Sequence, residues 1–180
     1  MPIRLLKRDM GRNHRATWEL VIVQKDEFPP LLPAGLHRMT EDELKVLVVD
    51  AFPLSTKRPL LWQRFLNLMD EARQLKLEFE VWIDGSFLTQ KIEPSDVDFV
   101  LDFDVDAINN PAPSQVPFLR ELANQAFKPQ KLHSFIMFHA PTAHGQHAEG
   151  ERLHDQWVKD FGFSYVAREP KGIAVLEVIP

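Results

Sequence analysis

Val81-Trp82-Ile83-Asp84-Gly85-Ser86-Phe87 is an apolar strand pattern that ends in a glycine–serine pair, and a second segment, Ser95-Asp96-Val97-Asp98-Phe99-Val100-Leu101-Asp102-Phe103-Asp104, follows shortly after it. In the second segment apolar residues share one parity and carboxylates share the other, which predicts a strand with two different faces. The apolar residues are Val97, Phe99, Leu101 and Phe103, and the acidic residues are Asp96, Asp98, Asp102 and Asp104. We expect one face of this strand in the core and a row of carboxylates on the other.

The two segments together predict a phosphate-binding turn opposite a metal-binding pair of carboxylates. Asp96 and Asp98 are two residues apart in a strand, so their side chains point the same way and are close enough to share Mg²⁺ or Mn²⁺. Gly85 lets a phosphate approach the backbone, and Ser86 adds a hydroxyl at the start of a predicted short helix. Phosphoryl or nucleotidyl transfer uses such groups. The alternative is that Asp96 caps a turn and that Asp98, Asp102 and Asp104 face water.

Gly85-Ser86 followed by Asp96-Val97-Asp98 resembles the glycine–serine and Asp-x-Asp signature of the nucleotidyltransferase superfamily, to which DNA polymerase beta belongs. The sequence around these motifs resembles that of small uncharacterised bacterial proteins of that fold more closely than that of polymerases. The strong resemblance covers residues 58–140, and residues 32–37 and 170–172 match more weakly. It implies an α/β (α+β) fold, with a mixed β-sheet backed by helices.

The resemblance also implies an activity. Asp96 and Asp98 would be the catalytic residues and would hold the metal that bridges a nucleoside triphosphate, while Gly85 and Ser86 would contact its phosphates. Lys91 is a candidate for neutralising the triphosphate, with Lys171 of similar standing; either can instead be a surface lysine. The implied reaction transfers NMP to a hydroxyl of RNA, a protein or a small molecule. A role with a cognate partner protein in a toxin–antitoxin system is what the resemblance suggests.

One expected residue is missing. Two-metal transfer in this superfamily uses a third carboxylate on a later neighbouring strand. The predicted strand at residues 132–138 contains no acid, and Ser134 stands where we expect that carboxylate. Glu177, Asp84 and His133 are possible replacements, although Asp84 more readily accepts loop amides and His133 is equally well a half-buried strand residue. The alternative function is therefore a catalytically impaired fold that binds a nucleotide or a protein.

Composition limits the class of protein. The chain has 180 residues, 44% of them apolar, no cysteine and a formal net charge of −5, which predicts a cytoplasmic single domain that is not a general nucleic-acid binder. No apolar run predicts a membrane segment or a membrane partner. The histidines of residues 139–154 have no accompanying cysteine, and we expect no zinc site.

Basic residues crowd the N-terminus and predict a solvated, partly disordered arm, or alternatively an arm that touches RNA or a phosphorylated ligand. They are Arg4, Lys7, Arg8, Arg12 and Arg15.

The order of elements predicts an N-terminal extension at residues 1–35, with a basic arm, an added edge strand at 17–23 and a proline-rich linker, followed by the main domain at 36–180. A Thr40/Glu43 capping box predicts a helix from Glu41, and a longer helix with an apolar stripe should follow residues 55–56. Trp82 should pack under that longer helix. Further helices are predicted over 114–127 and around 153–161, the last with Gly162 as its left-handed cap, and residues 164–167 and 173–179 should form a hairpin.

Overall fold

The computed structural model describes residues 3–7, 18–22 and 26–179. Strand β1 (Ile3–Lys7) pairs antiparallel with β2 (Trp18–Ile22) in a two-stranded sheet, so the strand predicted at 17–23 is confirmed as an addition outside the main sheet. Because residues 3–7 pair with β2, the prediction of a partly disordered arm is wrong at Arg4 and Lys7. The arm's remaining basic residues lie outside the described residues: Arg8, Arg12 and Arg15.

The main sheet has five strands in the order β3-β7-β4-β5-β6. The β3/β7 and β5/β6 pairs are parallel, and the β7/β4 and β4/β5 pairs are antiparallel. The sheet is therefore mixed, and with its helices it confirms the α/β (α+β) fold class. Its strands are β3 (Gly35–Arg38), β4 (Phe79–Asp84), β5 (Val97–Asp104), β6 (Leu132–His139) and β7 (Gly172–Val178).

Helices connect these strands, and the first begins as predicted. Thr40 and Glu43 form a capping box at its start. The helix predicted over 114–127 ends earlier, because Gln125 has a positive φ of 56°. No helix in the described part of the chain has the length and apolar character that crossing a membrane requires. The helices are α1 (Glu41–Lys45, continued by a π-helical turn at Val46–Asp50), α2 (Lys57–Gln74), α3 (Val105–Asn109), α4 (Val116–Ala123) and α5 (His147–Phe161), with 3₁₀ turns at Gly85–Leu88 and Lys128–Gln130.

The alternation of β5 is confirmed. Its four apolar side chains are fully buried between the sheet and the helices α2 and α4. The apolar stripe of α2 packs into the same core, where the ring of Phe65 meets that of Phe99 edge-on at a centroid distance of 5.6 Å. This half of the molecule is an apolar layer that fixes the register of β5, and hence the side on which its carboxylates lie.

The opposite face of the sheet is covered by α5. Trp82 belongs to this face and packs with Val100, and its ring meets that of His154 at 5.0 Å. The prediction that Trp82 packs under α2 is therefore wrong, because its parity in β4 is opposite to that of Val81 and Ile83. Asp102 lies on the same face and does not face water: it is 7% exposed, and its Oδ1 lies 3.2 Å from His139 Nδ1.

Two predictions for the C-terminal third are wrong. Residues 164–167 form no strand, because β7 already pairs with β3 on one side and β4 on the other. Gly162 has a φ of −76° rather than a left-handed conformation. The glycine is required there for a different reason: a Cβ at this position would lie 2.4 Å from the Val158 carbonyl oxygen.

Candidate functional site

The glycine–serine turn lies directly against the first carboxylates of β5. Gly85 has a φ of +75°, and a Cβ at this position would lie 2.1 Å from Asp98 Oδ2. Glycine is therefore needed both for the left-handed conformation and for the close approach. The two motifs, ten residues apart in sequence, are brought together because β4 and β5 are antiparallel neighbours and Asp84 pairs with Asp98.

Asp96 and Asp98 converge on one ring nitrogen. His133 pairs with Asp98 across the β5/β6 ladder, and its Nδ1 lies 3.1 Å from Asp98 Oδ1 and 3.9 Å from Asp96 Oδ2. The Ser95 hydroxyl donates to the other Asp96 oxygen at 3.0 Å. The three side chains that meet here are between 24% and 29% exposed, so a ligand can reach them. The structure thus brings together the two acids predicted to bind metal.

The residue beside the acid pair is His133, not Ser134. Ser134 pairs with Phe99 on the apolar face, and its buried hydroxyl donates to the Leu122 carbonyl at 3.0 Å. The prediction of the third-carboxylate position at Ser134 is therefore wrong by one residue, since neighbouring strand residues point to opposite faces. Glu177 pairs with Glu80, four residues along β4 from Asp84 and roughly 13 Å away, so it is no replacement.

Asp84 lies opposite Asp98 in the β4/β5 ladder and is held by a lysine. The Lys171 ammonium donates to both carboxylate oxygens of Asp84, at 2.5 and 2.6 Å, and both side chains are largely buried. Burial raises the pKa of Asp84 to about 6, although Lys171 and the Gly85 amide act to lower it. The predicted contact with a loop amide is present, but the dominant partner of Asp84 is Lys171.

Lys91 has a different environment from Lys171. Its ammonium lies 5.7 Å from the centre of the Phe28 ring, and its carbonyl accepts from Arg58 Nη2 at 2.6 Å. Arg58 is fully buried and also donates to the carbonyls of Phe87 and Thr89, so it fastens the chain that follows Ser86 to α2. Sequence reasoning missed Arg58. The signal was available, because it continues the apolar stripe of α2 one turn before Leu61.

A cavity of about 390 Å³ opens beside the glycine–serine turn. Its lining includes Ser86 and Lys171, together with Phe28 of the proline-rich segment and Tyr165 of the loop before β7. The Ser86 hydroxyl oxygen is buried and has no hydrogen-bond partner among the described residues. A buried hydroxyl without a partner is costly, so Ser86 carries an unmet hydrogen-bonding group next to the cavity.

The donor set fits one kind of metal site. Within residues 26–179, no three or more histidine or acidic side chains are grouped so that they enclose a metal ion. Mg²⁺ in nucleotide sites needs no such cage, because it binds one or two carboxylates and completes its shell with phosphate oxygens and water. Asp96 and Asp98, which converge and remain accessible, fit that role. His133 is the third polar side chain that meets them.

Comparison with known proteins gives a family and no function. No curated protein and no solved structure matches the chain. A family model described as a family of unknown function, DUF6932, matches residues 24–177, which include the proline-rich segment, the acid pair and Lys171. Since the match spans most of the chain, the protein belongs to the DUF6932 family.

Proposed function

We propose that this protein is a metal-dependent nucleotidyltransferase that transfers NMP from a nucleoside triphosphate to a hydroxyl group. The observation that carries the proposal is the packing of Gly85 against Asp98, with the Asp96 carboxylate converging on the same point. A phosphate-accessible turn then faces a pair of carboxylates suited to Mg²⁺. The unpartnered Ser86 hydroxyl and the Lys171 ammonium, which is paired with Asp84, both belong to residues that line the adjoining cavity.

Each residue has a distinct role in the proposed reaction. Asp96 and Asp98 would hold Mg²⁺, which neutralises charge on the triphosphate, and the Ser86 hydroxyl donates to a phosphate oxygen. The acceptor oxygen attacks the α-phosphorus, the bond from that phosphorus to the bridging oxygen breaks, and pyrophosphate leaves. The acceptor's proton passes to His133, whose imidazole lies beside Asp98. The acceptor itself is a hydroxyl of RNA, a protein or a small molecule.

A second candidate is a nucleotide-binding module without turnover. It is favoured by one observation, the histidine that stands in place of the third carboxylate. An imidazole is a poor ligand for a hard cation such as Mg²⁺, so a second, catalytic metal would be held weakly or not at all. This candidate uses the same binding residues and differs only in the absence of chemistry.

Calorimetric titration tests the shared part of both candidates. ATP, GTP, CTP and UTP are titrated with and without Mg²⁺ into the wild type, the Asp96→Asn/Asp98→Asn variant and Glu177→Gln. We expect Mg²⁺-dependent binding that the double variant loses and that Glu177→Gln keeps, because Glu177 is an exposed acid at the other end of the sheet. Absence of binding for all four nucleotides would refute both candidates.

Pyrophosphate release separates the two candidates. With the preferred nucleotide and Mg²⁺, the enzyme releases pyrophosphate and transfers α-³²P label to an acceptor from a cell extract. The release should fall at least tenfold in His133→Ala, while Mg²⁺-dependent binding changes little. Binding without any label transfer or pyrophosphate release would instead support the module.

A further inference from the structure

We propose that the cavity beside Ser86 binds the base of the nucleotide, and that it prefers a purine with donor groups on its edge. This inference rests on the proposed function and extends it from the phosphates to the base. The lining of the cavity combines polar groups from Ser86 and Lys171 with the aromatic residues Phe28 and Tyr165. A nucleotide needs both kinds of group, because it has anionic phosphates and a flat aromatic base.

The walls of the cavity are already tied in place. The proline-rich segment is fastened to the turn after Ser86 by backbone hydrogen bonds, from the Leu31 amide to the Leu88 carbonyl at 3.0 Å and from the Gln90 amide to the Pro29 carbonyl at 2.8 Å. A wall that is ordered before the ligand arrives loses little conformational entropy on binding. Residues 28–30 thus form a fixed wall of the cavity rather than a free linker.

The opposite wall is tied to the same segment through one side chain. The Glu27 carboxylate accepts the Val166 amide at 2.5 Å and the Ala167 amide at 3.0 Å, which draws the loop before β7 toward the proline-rich segment. These hydrogen bonds lower the pKa of Glu27, so the carboxylate stays ionised at neutral pH. Tyr165, next to Val166, is thereby held in the lining to which Phe28 also belongs.

The polar lining indicates which base edges fit. Three carboxylates line the cavity, and they accept hydrogen bonds but do not donate them. They are Asp26, Glu27 and Glu169. Adenine and guanine present amino or ring N–H donors on their Watson–Crick edges, whereas uracil presents one N–H between two carbonyl acceptors. Carbonyl acceptors facing carboxylates are unfavourable, and a purine also offers more surface for stacking on an aromatic ring.

The test compares a nucleotide with its phosphates alone. ATP, UTP and inorganic tripolyphosphate, each with Mg²⁺, are titrated into the wild type, Phe28→Ala and the control Leu54→Ala, which removes an exposed side chain outside the cavity lining. We expect ATP to bind at least tenfold more tightly than tripolyphosphate and more tightly than UTP. Phe28→Ala should weaken the binding of ATP at least tenfold and leave the affinity for tripolyphosphate unchanged. Leu54→Ala should change neither affinity. Equal affinities for ATP and tripolyphosphate in the wild type would overturn the base site.

The chain offers a second readout that needs no variant. Tyr165 is the only tyrosine in the sequence, so protein labelled with ¹³C-tyrosine gives a single set of ring signals. ATP should shift these signals and tripolyphosphate should not. If neither ATP nor tripolyphosphate binds, the proposed function fails, and adenosine then tests the cavity alone: adenosine-induced shifts that Phe28→Ala abolishes support the base site, and no shift overturns it.

Discussion

Replacing Gly85 with alanine tests whether this glycine is needed to accommodate Asp98. The added Cβ would lie 2.1 Å from Asp98 Oδ2 and 2.9 Å from its Cγ, so the carboxylate has to move. The φ of +75° costs a non-glycine residue roughly 1–2 kcal/mol. Moving Asp98 away from His133 adds about 1 kcal/mol, at the low end for a charged hydrogen bond because both side chains are partly exposed. The free energy of unfolding should fall by about 2–3 kcal/mol.

A double-mutant cycle separates the two contributions. In an Asp98→Ala background the carboxylate is absent, so Gly85→Ala should cost the backbone part and a milder contact with the remaining Cβ at 3.1 Å, and the coupling free energy should be about 1 kcal/mol. Urea unfolding, monitored by tryptophan fluorescence, gives the free energy of unfolding of each variant. The melting temperature of Gly85→Ala should be roughly 5–10 °C below that of the wild type for a chain of this size. Gly85→Ala should also weaken Mg²⁺-dependent nucleotide binding.

Gly145→Ala is the matched control, since Gly145 has no positive φ and a Cβ there meets nothing within 4 Å. It should leave stability unchanged or raise it by about 0.4–1 kcal/mol. If the effects of Gly85→Ala and Asp98→Ala are additive, the close approach of the turn to the carboxylate is not what requires glycine, and the geometric argument for the site is refuted.

Lys171→Met should destabilise the protein by about 3–5 kcal/mol at pH 8, because it leaves the buried Asp84 carboxylate without its cation. The loss should shrink as the pH falls, because without Lys171 the pKa of Asp84 lies above its wild-type value of about 6, and protonation removes the unpaired charge. Because the pKa of Asp84 is raised in the folded state, its contribution to the free energy of unfolding of the wild type falls as the pH rises from about 4 to 6. Urea denaturation at several pH values in this range should show that slope in the wild type and not in Asp84→Asn. A pH-independent loss in Lys171→Met would contradict the pairing. Arg58→Lys should cost about 2–4 kcal/mol in urea unfolding, because a single ammonium cannot serve the carbonyls that the buried guanidinium serves. Arg64→Lys on the same helix is the control, because Arg64 makes one exposed hydrogen bond, to the Gln130 carbonyl, and its replacement should cost under about 0.5 kcal/mol. Equal losses of stability in the two variants would contradict the role given to Arg58.

The parts of the fold that could be predicted are those with a local periodicity. The alternation in β5 fixed its two faces, and the Thr40 and Glu43 pair marked the start of α1, because both patterns act through neighbours along the chain. Proximity of Gly85 to Asp98 could be inferred from the motifs through the resemblance. Its packing distance could not, since it depends on the register between β4 and β5.

The parts that could not be predicted depend on partners distant in sequence. The pairing of Lys171 with Asp84 and the place of β7 between β3 and β4 leave no local signal, and residues 164–179 therefore resembled a hairpin. The error at Ser134 has a different origin, because a one-residue misplacement in a strand exchanges its two faces. Parity relative to Asp98 would have identified His133 had the β5/β6 register been known.

The central position of β7 has a consequence for how the protein folds during synthesis. Strands β4, β5 and β6 leave the ribosome before β7 and are able to pair, while β3, which emerged earlier still, has no partner in the main sheet until β7 emerges. Until then the sheet has an open edge at β4, which favours association with other chains and slow, non-local closure. Lys171 directly precedes β7 and arrives with it, so Asp84 gains its cation in the same event that closes the sheet. The candidate site is therefore complete only in chains whose main sheet is complete.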